Sequence, residues 1–317
     1  YSSIGVMGYI LFAIAVMSNL GWLSAITYAM VHFMYKALIF LAIAGVIYRT
    51  GTRKIYGMGG LMKKMPGSFI AVLIGIITLA GMPPLAGFAG KWMLYNVVVI
   101  KGWIIQGALV FFAGIVAFLY CFKLIHNIFL GPIKDNHRRI RETTIWWLLP
   151  QFVLIGLIMV FSVRPGIFLE PVGNWLSGVM PGESLRWDGT TAYTSVGFWD
   201  ATKIMYVVGG MFAVLFGILF FLSRKVQKVG MFDMVFQAER PTRPETHHYA
   251  YNMFAHYNKA LGFMVTPWIT RAWHRTGELV HDTGNHIRQI YSGNAQSYAL
   301  HIVIYFVIAY FLISGGF

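Results

Sequence analysis

YAMVHFMYKALIFLAIAG, residues 28–45, decides how the rest of the chain is read. The stretch is apolar enough for a helix in lipid, yet His32 and Lys36 stand four residues apart within it. At that spacing both side chains project from one helical face. A charged side chain at a bilayer centre costs roughly 2.5–3.5 kcal/mol on insertion scales. An interfacial pair reaching out to water fails on depth, because both residues lie well inside an apolar run over 22–48. A histidine and lysine kept for structure alone remain one reading. The other is a proton relay, since buried lysine changes protonation readily and histidine titrates near neutrality.

The composition agrees with a membrane protein. The chain has 317 residues, of which 57% are hydrophobic and 11% charged, against about 25% charged in a soluble domain. The formal net charge is +14. Its basic residues sit in short segments between apolar runs, which fits loops beside anionic lipid and excludes a nucleic-acid surface. The single cysteine, Cys121, excludes an internal disulfide and a cysteine-built metal site. The sequence opens on Tyr1, and residues 2–20 read as a span rather than a signal peptide, so it is expected to begin partway through a longer protein.

Seven apolar stretches have the length of a crossing, near 4–20, 22–48, 68–99, 104–130, 144–163, 203–222 and 298–314. The basic segments 49–67, 131–143 and 223–297 then share one side. The opposite side receives 164–202, which holds Arg164 and Arg186 but also Glu170, Glu183, Asp188 and Asp200. Lys/Arg asymmetry predicts a multi-pass protein of the cell (inner) membrane with its basic loops in the cytoplasm.

Two stretches depart from simple spans. Residues 68–99 would form a helix of about 48 Å, and AGMPPLAGFAGKW (80–92) lies at its middle. Pro83 and Pro84 remove two backbone donors, and Gly81, Gly87 and Gly90 loosen the rest, so a broken helix is predicted. Non-helical backbone at membrane depth persists only where it is buried in protein or lines a hydrated cavity. Lys91, just beyond the break, is therefore a candidate titratable group in such a cavity, or else a lysine reaching for the interface. Residues 223–297 are too polar to span yet rich in aromatics, as expected of an amphipathic segment lying along a membrane surface or a partner. Pro241, Pro244 and Pro267 divide it.

Lys123 and His126, three residues apart near the end of the fourth stretch, are either pathway groups or an interfacial anchor. Lys203 and His301 read as interface residues. His247, His248 and His256 lack any repeated ligand spacing, and His274, His281 and His286 are irregular, so no metal site is expected. No phosphate loop, dinucleotide fingerprint or nucleophile elbow occurs, and no catalytic residue is assigned.

YSSIGVMGYI (1–10), VHFMYKALIFLAIAGVIYRTGTRKI (31–55), MGGLMKKMP (58–66) and LAGMPPLAGFAGKW (79–92) together resemble the antiporter-like membrane subunits of respiratory complex I. Mrp-type sodium/proton antiporters and energy-converting membrane-bound hydrogenases have similar subunits. The likeness is nearest to the distal, largest member, in which a late span leads into a lateral segment and a final anchoring helix. It implies an all-α membrane protein. Residues 1–130 would form a second half-channel, 131–222 further spans, 223–297 the lateral segment and 298–317 the anchor.

By position, His32 and Lys36 match the family's central polar axis, and Lys91 matches the lysine on its second broken helix. The resemblance implies transport of protons, or sodium ions, driven by a redox module elsewhere. This chain would hold no electron-transfer cofactor, and its partners would be other membrane-arm subunits. The alternatives are a non-pumping brace and a stand-alone antiporter subunit. The chain departs from the family in lacking the first half with its glutamate–lysine pair. It also has Tyr28 where relatives often have a histidine.

Overall fold

The computed structural model describes residues 2–131, 137, 139–223, 248–262, 268–290 and 293–314. The helices follow as α1 (Ser2–Ala15), α2 (Asn19–Thr50), α3 (Pro66–Ala80), α4 (Gly87–Ile100) and α5 (Ile104–Leu124), which runs into a π-helical turn, Ile125–Phe129. Next come α6 (Ile145–Val163), α7 (Gly166–Ser177), a small sheet and α8 (Ala201–Ser223). After these, among the described residues, come α9 (Ala255–Leu261), α10 (Trp268–Ile290) and α11 (Ala295–Ile313). The chain divides into two compact units, 1–251 and 252–317.

Among the described residues, five helices are long and apolar enough to cross a membrane: α2, α5 with its π turn, α6, α8 and α11. The remaining apolar helices α1, α3 and α4 are shorter, at 14, 15 and 14 residues. The break foreseen at the proline pair is present. α3 stops where Gly81 takes the left-handed conformation, φ +62°, and donates its N–H to the carbonyls of Ile77 and Thr78. The peptide N–H of Ala86 then finds the hydroxyl of Ser162 on α6 at 2.8 Å. In this way the irregular backbone is satisfied by protein, as a low-dielectric surrounding requires.

α2 is the central packing element. In lipid, apolar burial does not drive helices together, so close fit between small residues does much of that work. Gly75 of α3 shows this. A Cβ there would lie 2.5 Å from the side chain of Ile39 of α2, so the isoleucine packs into the space that the glycine leaves. Along the same helix Ala25, Val31, Leu38 and Ala42 are all buried.

The first unit has two end faces. On one, the 51–65 segment meets the end of α5, where Gly60 N–H bonds the carbonyl of Leu130 at 3.0 Å. Arg49 reaches the carbonyl of Glu142 at 2.6 Å. On the other, strands β1 (Arg186–Asp188), β2 (Thr191–Thr194) and β3 (Gly197–Asp200) form an antiparallel sheet in the order β1–β2–β3. This sheet and α7 were not foreseen, and they make a small β addition to a helical protein. Trp199 of β3 packs on Phe88 and Trp92 of α4, and Thr194 donates to Asn96 Oδ1 at 2.6 Å.

In the second unit, α10 is amphipathic. Trp273, Thr276, Val280, Thr283 and Ile287 recur at three- and four-residue spacing, opposite Arg271, Arg275, Glu278 and Asp282. Of the prolines expected to divide the lateral segment, Pro241, Pro244 and Pro267 fall outside the described residues, as does His247.

Candidate ion pathway

Lys91 stands just inside α4, and the helix break fixes its surroundings. Its Nζ turns back and donates to the carbonyl of Ala80 at the end of α3. A helix leaves its last carbonyls without intrahelical partners, and an ammonium suits the negative end of the helix dipole. Glycines make the room. A Cβ on Gly81 would meet Lys91 Cδ at 2.6 Å, and one on Gly114 of α5 would meet Nζ at 2.8 Å. On Gly87 it would strike the carbonyl oxygen of Thr78 at 1.8 Å. Lys91 is only 6% exposed.

A cavity of about 340 Å³ opens beside it, lined by Lys91, Thr27, Thr78 and the tyrosines Tyr9, Tyr28, Tyr35 and Tyr120. Tyr9 stacks on Tyr28 with centroids 5.4 Å apart and donates its hydroxyl to the carbonyl of Val110 at 2.7 Å. Lys91 Nζ lies 5.8 Å from the Tyr9 ring. Gly90 presses on the Tyr28 ring, where a Cβ would stand at 3.1 Å. The Tyr28 hydroxyl is buried without a hydrogen-bond partner among the described residues.

Lys36 donates through Nζ to the hydroxyl of Ser2 on α1, and Tyr120 reaches the same serine. Because Tyr120 also lines the cavity, polar groups follow one another from Lys36 through Ser2 and Tyr120 to the space beside Lys91. The ring of His32 stands edge-on to Tyr35 with centroids 5.4 Å apart, and its Nε2 is buried without a partner among the described residues. Lys123 and His126 are not in this group. They occupy the far end of α5 and its π turn, where His126 Nδ1 meets Asn127 Oδ1 at 3.0 Å and the ring stacks on Tyr249 at 4.9 Å.

Tyr9, Tyr35, Tyr120 and Ser2 escaped sequence reading, and Tyr28 entered it only as a departure from the family. For two of them a signal existed: Tyr28, His32 and Tyr35 recur at four- and three-residue spacing, so the face that carries the ionisable pair also carries both phenols. Tyr9, Tyr120 and Ser2 lie on other helices, and nothing local marks them.

Residues 1–117 match the family described as NADH:quinone oxidoreductase/Mrp antiporter, TM. A Na(+)/H(+) antiporter subunit of Alkalihalophilus pseudofirmus is 28% identical over 228 residues, 64% of this chain and 26% of that protein. An NADH-quinone oxidoreductase subunit of Desulforudis audaxviator is 30% identical over 190 residues, 54% of this chain and 36% of that protein. A solved chain of the membrane-bound sulfane sulfur reductase (MBS), an archaeal respiratory membrane complex, superposes with a TM-score of 0.76 at 27% identity. That match covers 98% of this chain and 51% of the other. The chain thus spans about half or less of the length of each of these relatives.

Proposed function

Residues 1–117 belong to the family of NADH:quinone oxidoreductase and Mrp antiporter membrane subunits, and from that premise we propose that this chain carries protons, or sodium ions, across the membrane within a larger complex. The observation that carries the reading is Lys91. It is a buried lysine held against a freed helix carbonyl, beside a cavity that Tyr120 and Ser2 connect to Lys36. Burying a fixed charge is costly, and a group that alternates between charged and neutral forms avoids part of that cost. Protonated, the amine is held by Ala80 and the end of α3. Neutral, it accepts a proton from the cavity, which has room for a short chain of water molecules. Lys36, with His32 on the same face, stands outside the cavity lining and reaches it through Ser2 and Tyr120.

In this reading the driving force is a redox reaction in other subunits, and the chain supplies the conduit. Its partners are membrane subunits like those of the respiratory complex it superposes on. A stand-alone cation/proton antiporter is the second reading, favoured by the likeness to the Alkalihalophilus antiporter protein over 64% of this chain. Copurification separates the two, because iron–sulfur proteins accompany only the redox-driven assembly. Lys91→Ala tests the conduit itself. Reconstituted vesicles carrying it are expected to lose ion movement while the chain assembles at normal levels. Undiminished movement would assign Lys91 to helix capping alone and leave a bracing role.

A further inference from the structure

His248–Tyr251 form a turn fastened to the loop face of the first unit. Tyr251 N–H closes it on the carbonyl of His248 at 2.8 Å. His248 Nδ1 accepts from Ala250 N–H at 3.0 Å, which leaves the ring proton on Nε2, and Nε2 donates to the carbonyl of Met58 at 2.6 Å. Tyr56 packs on the same imidazole at 5.3 Å. Both ring nitrogens are thus used, one toward the turn and one toward the loop. Ala250 is buried beneath the turn.

The next side chain, Tyr249, lies across the π turn of α5. Its ring stacks on His126 with centroids 4.9 Å apart and planes 27° from parallel. It also covers Gly131, where a Cβ would stand 3.1 Å from the ring. Leu130 N–H bonds the carbonyl of Ile125 at 3.2 Å, five residues back, as a π turn requires. Such turns are rare, occur as single insertions in α-helices and concentrate at functional sites. This one is gripped from two directions, by Gly60 N–H on the carbonyl of Leu130 and by the Tyr249 ring on His126.

We propose that His248–Tyr251 is a clasp and that Tyr249 is a positioning residue, fixing the π turn and the orientation of His126. The inference rests on reading His126 as a pathway group only for its effect on transport. The fastening of the turn stands apart from that. The clasp joins the chain that leads toward α10 to the end of a helix that lines the Lys91 cavity, so a displacement of 248–251 reaches α5 directly.

Hydrogen exchange on the assembled, reconstituted complex provides the first readout. Tyr249→Ala should speed exchange across 125–131 about fivefold, the factor expected for a lost aromatic stack, and Tyr249→Phe should leave it at the parent rate. Where Tyr249→Ala fails to assemble, Tyr249→Leu keeps the apolar cover without the ring and makes the same comparison. The second readout is the pH profile of ion movement. Tyr249→Ala should displace it as His126→Gln does, and the double variant should match the single. Unchanged exchange at 125–131, or displacements that add, overturns the proposal. Faster exchange in Tyr249→Ala beside a normal profile in His126→Gln supports the clasp and removes His126 from the pathway instead.

Discussion

Lys91 illustrates how a single residue is made possible by what is missing around it. Three glycines on three segments leave the volume its chain occupies or the close approach that shapes it: two of the absent Cβ atoms would meet Lys91 itself and the third the carbonyl of Thr78. Gly87 cannot be enlarged, because backbone stands at 1.8 Å, whereas Gly114 faces the mobile end of a lysine at 2.8 Å. Gly114→Ala is therefore expected to fold well, since alanine is better than glycine inside a helix by up to about 1 kcal/mol. It should still reduce ion movement by pushing the amine from its place. Normal melting with lowered transport is the expected pair of results, and full transport would show that the amine's position is immaterial. At the neighbouring pair, Lys36→Met should impair transport more than His32→Gln. A fixed ammonium held by Ser2 has no substitute, whereas a water molecule can bridge a missing ring. Equal, mild defects in vesicle assays would point to packing.

Two elements owe their ends to distant side chains. The first turn of α3 has no side-chain cap of its own, since Met65 precedes it. Glu142 supplies one from the loop before α6: its Oε2 accepts from Gly67 N–H at 2.7 Å and Ser68 N–H at 3.2 Å, and its Oε1 from the Ser68 hydroxyl at 2.8 Å. A carboxylate here satisfies orphan donors and opposes the positive end of the helix dipole. Glu142→Ala should cost about 1–2 kcal/mol, and Glu142→Gln less, by thermal unfolding in detergent. At the start of α8, Asp200 accepts from Lys203 N–H at 2.9 Å and the Thr191 hydroxyl at 3.0 Å, beside the Lys203 ammonium at 3.1 Å. Burial acts to raise its carboxyl, but these donors outweigh it and hold the group below its ordinary value. A carboxyl depressed by folding contributes stability that is complete above its unfolded value and is lost as pH falls through the folded one. The melting difference between the parent and Asp200→Ala should accordingly be full at neutral pH and shrink on acidification below about pH 4. A pH-independent difference would mean the carboxylate charge does not matter there.

At the scale of the whole molecule, the two end faces of the first unit differ in charge. Arg49, Arg53, Lys54, Lys63 and Lys64 belong to the loop face, whereas on the sheet face Glu183, Asp188 and Asp200 are accompanied by Arg186 and Lys203. The positive-inside rule predicts that the loop face lies toward the cytoplasm. Cysteines at Lys54 and Val196, both exposed, test this with an impermeant thiol reagent. Lys54→Cys should react from the cytoplasmic side and Val196→Cys from the other, and the reverse pattern would invert the topology. In the second unit, the apolar stripe of α10 leaves Trp273, Val280 and Ile287 exposed at 71%, 64% and 54%. A stripe of this kind requires a lipid surface or a neighbouring protein. Val280→Asp with Ile287→Asp should reduce copurification of partner subunits severalfold while the melting of the first unit is unchanged.

Hydropathy and proline placement alone located the long helices and the break between α3 and α4, because in lipid each helix must satisfy its own backbone and each break must be signalled by the residues that cause it. The shared face of His32 and Lys36 was likewise a matter of local spacing. Ser162 on the broken backbone, Glu142 on α3 and Tyr120 beside Ser2 were hidden, since each joins segments 74 or more residues apart. The sheet was hidden for another reason: strands of three and four residues are too short to show alternation. The π turn and its clasp depend on a chain that returns to 58 and 126 from residue 248, and no local pattern encodes a return. What surrounds the buried lysine was decided by the fit of small residues between helices, which exists only once the helices have met.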